Sequence, residues 1–130
     1  MANILLIEKL TKEIEAIRIA AAQHMNRAEE KRKNSIIELN KRVKQDLLTV
    51  QLYGGKSTVN VDLNRIGIPE VFKYHKDILK TPRVKDIHTF YNIQSQRINN
   101  EYNCEIRAIE ADADKKIKQR EIALHKLAHA

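Results

Sequence analysis

The sequence predicts a mainly all-α protein: a long antiparallel two-helix coiled-coil hairpin with a small central insert of one short strand and one short helix, assembling into a larger helical bundle. Three observations carry this expectation. Apolar residues recur every three or four positions in both outer parts of the chain, the spacing that keeps one helical face turned inward. The two stripes mirror each other. All three glycines and both prolines fall between positions 54 and 82, so about fifty residues on either side are free of helix breakers.

The first stripe runs through Ile7, Leu10, Ile14, Ile17, Ala21, Met25, Ala28, Arg32, Ile36, Leu39, Val43, Leu47 and Val50. The second, read backwards, runs through Leu127, Leu124, Arg120, Ile117, Ala113, Ile109, Ile106, Tyr102, Ile98, Ser95, Tyr91, Ile87 and Val84. Paired in order, their numbers always sum to 134, the register of two helices folded back along one seam. Of these 26 positions 23 are apolar, whereas the 42% apolar content of the whole chain would place about 11 there by chance. The stripes are a property of the sequence; the offset of 134 is the choice that pairs Ile7 with Leu127.

The chain of 130 residues reads as a single elongated domain, with a helix at about 4–52, a head insert at 53–80 and a helix at about 82–129. Asn3 is the expected N-cap of the first helix, its side chain accepting from an amide just inside. Gly54 and Gly55 are its expected terminators. From Met25 to Val50 the steps follow an eleven-residue period, whereas Ile7 to Ala21 follow a seven-residue one, and the last helix changes period in the same way. Two helices that supercoil together must change together, so the match supports the pairing.

In the insert, Thr58 to Leu63 alternates, with Val59, Val61 and Leu63 on one face, and reads as one short strand. Ile68 and Pro69 lead into a helix of about ten residues whose apolar face holds Val71, Phe72, Ile78 and Leu79. Thr81 as N-cap and Pro82 at the first helical position open the last helix, where the missing proline donor costs nothing. A second, sparser apolar stripe is expected beside the seam, with Ile19, Ile37 and Leu48 on the first helix and Ile93, Cys104 and Ile122 on the last. These six residues are the candidate oligomer face, because a seam already hidden leaves them another surface to cover.

The formal charge is +7, from 24 basic and 17 acidic residues. Lys73, His75, Lys76, Lys80, Arg83 and Lys85 crowd into the end of the insert and the start of the last helix, with Lys56 earlier in it. They are the candidate contacts for phosphate or an acidic protein, alongside Lys41, Arg42 and Lys44. One cysteine cannot form an internal disulfide, which favours a reducing compartment. The apolar run Ile4 to Ile7 stops at Glu8, far short of a membrane span. The expectation is a cytoplasmic protein, or a virion component if virus-encoded, with no membrane partner.

Catalytic and cofactor motifs are not expected. Gly55-Lys56-Ser57 resembles the end of a phosphate loop, but the glycine needed five residues earlier is Val50. His125 and His129 share a helical face without a third ligand. The seam residues Ile7, Leu10, Ile14, Ile17, Met25, Ile36, Leu39, Val43, Leu47, Ile87, Ile98, Tyr102, Ile106, Ile109, Ile117, Leu124 and Leu127 are packing residues. Arg32 opposite Tyr102, and Arg120 opposite Ile14, are read as polar seam residues that fix register.

These readings converge on a non-enzymatic structural or interaction protein, a homo-oligomeric helical hairpin serving as an assembly or adaptor factor, viral or phage-borne being one setting, whose insert engages a protein partner. It takes no cofactor and no metal. One alternative is a sequence-independent nucleic-acid-binding protein using the basic head. In its order of helix, small central insert and returning helix the chain is similar in outline to the prefoldin type of chaperone, and that resemblance implies client holding as a second alternative. Prefoldins place strand hairpins between their helices, whereas this chain offers one strand and a short helix.

The seam makes a direct prediction. Ile17→Asp or Ile109→Asp places a charge on the buried face and should unfold the hairpin, while Lys118→Ala should scarcely move its thermal midpoint. Equal midpoints by circular dichroism for all three variants would refute the assignment.

Overall fold

A computed structural model describes residues 2–53, 67–74 and 82–129. Three helices account for nearly all of them: α1 (Ala2–Tyr53), α2 (Ile68–Tyr74) and α3 (Pro82–Ala128). The long helices α1 and α3 pack against each other as a helical hairpin with the short α2 between them in sequence. No strand occurs among the described residues. The strand expected at 58–63 lies outside them, as do Gly54, Gly55, Ile78, Leu79 and Thr81.

The helix bounds sit close to those expected, with one difference. Helical structure begins at Ala2, so Asn3 lies inside the first turn rather than capping it; Ala is the strongest helix former, and assignments of helix ends move by a residue or two. Seven residues of the short helix are described, Ile68–Tyr74, and the rest of the roughly ten expected lies outside the described residues. The helix starts at Ile68, with Pro69 in the first turn where no amide donor is needed, and its first bond runs from Val71 N–H to the Gly67 carbonyl at 3.0 Å. Glu70 stands in that first turn, where a carboxylate complements the exposed amides.

The described chain divides into two compact units, one made of residues 1–31 and 101–130, the other of residues 32–100. The second unit holds the main core. Leu39, Val43 and Leu47 from α1, Ile68, Val71 and Phe72 from α2, and Val84 from α3 are buried together, with Ile87, Phe90, Tyr91 and Ile98 packed against them. All four fully buried large side chains, Leu47, Val43, Val71 and Val84, lie here. Two helices alone cover each other along a line; α2 supplies a third wall, and only then do side chains lose all contact with water. Each such Val or Leu contributes roughly 1.5–3 kcal/mol relative to an exposed one.

In the first unit the two long helices have only each other. Ile14, Ala28 and Ala113 are its buried hydrophobics, and Ile7, Leu10, Ile17, Met25, Ile109, Ile117, Leu124 and Leu127 are half-buried. Alanines thin the seam further. Ala20, Ala21, Ala108 and Ala113 line a cleft of about 360 Å³ together with Ile17, His24 and Ile109, because a methyl group cannot reach across to the facing helix.

Adjacent leucines give a controlled comparison. Leu47 is fully buried and Leu48 is 37% exposed, so Leu47→Ala should cost roughly 2–5 kcal/mol and Leu48→Ala no more than about 1 kcal/mol. Urea denaturation of both variants measures this, and similar losses would contradict the packing of α2 against Leu47.

Candidate interaction surfaces

In both units the seam positions point inward. Every seam residue whose side chain is described is buried or half-buried, and none is exposed. The polar contacts across the helices measure the register independently. Glu13 accepts from Arg120 Nε at 3.1 Å and Glu105 accepts from Lys31 Nζ at 2.9 Å, pairs whose numbers sum to 133 and 136. In the second unit Arg32 donates to Asn99 Oδ1 at 3.5 Å and the Arg42 guanidinium lies 4.5 Å from the centre of the Phe90 ring, sums of 131 and 132. These values straddle 134, with contacting pairs one to three residues off the central rung.

Arg120 shows how a charged residue occupies a seam position. It donates to Glu13 and, through Nη1, to the Lys116 carbonyl at 3.0 Å. The pair is partly withdrawn from water, with side-chain exposures of 29% and 37%, so the charges are satisfied where a lone arginine would be costly. Lys31 and Glu105 form an exposed pair. The Glu105 hydrogen bond, and then its charge, raise the lysine pKa above the ordinary value. A raised lysine pKa keeps this pair complete at neutral pH, and its contribution disappears only as pH climbs through the alkaline lysine range.

The six candidate oligomer-face residues, Ile19, Ile37, Leu48, Ile93, Cys104 and Ile122, are all exposed. Their direction differs from the expectation of a stripe beside the seam. Ile19, Ile93, Cys104 and Ile122 each stand two residues from a seam position on both sides, about 200° around the helix. They therefore face away from the partner helix. Ile37 and Leu48, one residue from Ile36 and Leu47, sit about 100° away on the flank.

Three further exposed aliphatics escaped the sequence reading: Ile4 at 60%, Leu5 at 70% and Leu6 at 45%. A run of four large aliphatics, Ile4 to Ile7, wraps about 300° of a helix. One seam can take only Ile7, and that geometry was the available signal.

Of the candidate partner contacts, Lys73, Arg83 and Lys85 are exposed; Lys56, His75, Lys76 and Lys80 lie outside the described residues. Lys41 is exposed, with Glu38 at 3.9 Å, and Lys44 is half-buried. Arg42 covers the face of Phe90, a cation–π contact that engages it in the fold. His88 is enclosed by Phe72, with ring centres 4.6 Å apart, and by Asn92, whose Nδ2 lies 3.3 Å from the ring Nε2. The His125 and His129 rings lie 4.4 Å apart, tilted by 53°. No group of three or more His, Cys, Asp or Glu among the described residues is placed to hold a metal, and no described helix is long and apolar enough to cross a membrane. Comparison with protein-family models, curated proteins and solved structures finds no match.

The Glu13–Arg120 pair should be measurable. A double-mutant cycle with Glu13→Gln and Arg120→Gln is expected to give a coupling of about 1 kcal/mol, near the top of the range for partly exposed pairs. The exposed i, i+4 pair Asp112–Lys116, at 3.0 Å, should give no more than about 0.5 kcal/mol. A smaller coupling for Glu13–Arg120 than for Asp112–Lys116 would contradict the register described above.

Proposed function

We propose that the protein is a non-enzymatic assembly or adaptor factor, whose hairpins associate with one another through the outer faces of α1 and α3 and whose α2-bearing part engages a partner. The observation that carries this reading is incomplete burial in the unit made of residues 1–31 and 101–130. Its seam is lined along both helices by isoleucine and leucine, yet its buried hydrophobics are Ile14, Ala28 and Ala113. Ile19 and Ile122 add large aliphatics on the outside of the same unit, 53% and 49% exposed.

A unit of this size gains little stability from a line of half-buried contacts, and small domains commonly make up the difference by oligomerisation. Association along the helix backs buries Ile19 and Ile122. Scattered exposed aliphatics are ordinary on a soluble surface; their coincidence with an under-buried seam favours the assembly reading. The same outward residues sit on two opposite helix backs, so contacts between unlike faces would extend an assembly and contacts between like faces would close it.

Light scattering at micromolar concentration tests this. The wild-type chain should show a mass that is a multiple of 15.1 kDa, and Ile19→Lys with Ile122→Lys should lower it. A monodisperse wild-type mass of one chain would overturn the proposal.

A further inference from the structure

The formal charge of +7 is not shared between the two compact units. Residues 1–31 and 101–130 carry 11 basic and 11 acidic side chains, a net of zero. Residues 32–100 carry 13 basic and 6 acidic, which is the entire excess. The neutral unit is built from both ends of the protein, and the basic unit is the continuous stretch between them.

We infer that the unit of residues 32–100 binds the phosphate backbone of duplex nucleic acid. The inference rests on the reading above that this part of the protein meets a partner, and it names that partner's chemistry. Exposed cations stand on all three helices of the unit: Lys33 and Lys41 on α1, Lys73 on α2, and Arg83, Lys85 and Arg97 on α3. Among the described residues such a distribution lacks the anchors that a folded protein partner uses, since hot spots are built from large aromatic and arginine side chains set in pockets. The aromatics Phe72, Phe90 and Tyr91 belong to the core cluster or its partly buried edge. Diffuse positive charge without anchors suits a repeating anion, whose binding comes from displaced counterions rather than from shape.

The same placement argues against a lipid surface and against single strands. Membrane-surface helices set a wide apolar face beside their lysines, whereas the wide apolar faces of α1 and α3 are closed in the seam, leaving exposed, among the described residues of this unit, only Ile37 and Leu48, a narrow strip on one flank of α1, and Ile93 on the back of α3. Single strands are held by stacking on aromatic side chains, and the three named aromatics are engaged in the core. Contact confined to phosphates predicts no dependence on base sequence.

The experiment uses the full chain and a fluorescent 30-base-pair duplex of random sequence, with binding read by anisotropy. If about four phosphates are neutralised, affinity should fall roughly a hundredfold between 50 and 200 mM salt. The variant Lys33→Glu, Lys41→Glu, Lys85→Glu should lose at least tenfold in affinity. A second variant, Lys9→Glu, Lys115→Glu, Lys118→Glu, changes the total charge equally but on the neutral unit, and should stay within about threefold of wild type. Thermal midpoints confirm that both variants are folded. No binding at 50 mM salt, equal losses from the two variants, or tighter binding to phosphatidylserine vesicles, polyglutamate or the single strand than to the duplex would each overturn the inference. Light scattering on the same samples separates the two proposals, since loss of duplex binding at unchanged mass leaves self-association standing, and a single-chain mass that still binds duplex removes self-association alone.

Discussion

Two helices packed side by side can each hide one narrow face, and everything else in this protein follows from how that limit is met at different places along the pair. The residues at steps of three and four are inward wherever they are described, because only that spacing keeps Cβ atoms on one side of an α-helix. What the spacing cannot do is supply a third wall. Where α2 provides one, Val43, Leu47, Val71 and Val84 are sealed from solvent; where nothing does, larger side chains such as Ile17 and Ile117 remain half-wet and alanines leave clefts.

That difference sets the distribution of stability and charge. The α2-bearing unit has a layered core with Phe72 in it and Phe90 and Tyr91 packed against it, Phe72 meeting both His88 and Tyr91. Beside the exposed Ile37, Leu48 and Ile93, it presents cations outward. The other unit balances its charges in pairs such as Glu13–Arg120, Lys31–Glu105 and Asp112–Lys116, and leaves aliphatic residues outward. Neutral surface with exposed isoleucine and leucine suits contact with like chains, while net positive surface suits an anionic partner. One helical pair thus carries two surfaces of different character.

The seam was legible in the sequence because a 3.6-residue period is written directly into the order of apolar residues, and Arg32, Ser95 and Arg120 were too few to obscure it. The facing of the remaining aliphatics was less so. Ile19 and Ile122 were recognised as surplus to the seam, but two-residue offsets that turn them fully outward differ only subtly, in a list of positions, from offsets that would set them beside it. Arg42 was read with Lys41 as a phosphate contact, since nothing local reveals that Phe90, 48 positions later in the sequence, lies beneath its guanidinium. The excess of positive charge in the middle of the chain is visible in the sequence, whereas the boundaries at residues 31 and 101, which make the two ends together neutral, come from the fold. Function was the least legible, because association through helix backs and phosphate contact through lysines need no spacing as specific as a metal or nucleotide site does.

The antiparallel register is tested most directly by engineered cross-linking. In a Cys104→Ala background, Ala21→Cys with Ala113→Cys places two thiols on one rung of the seam, whereas Ala21→Cys with Ile106→Cys shifts one of them by two helical turns. A disulfide demands Cα atoms within about 7 Å, so mild oxidation should close an intrachain bond in the first pair and leave the second reduced. Closure of the second pair, or a first pair that links only between chains, would contradict the account.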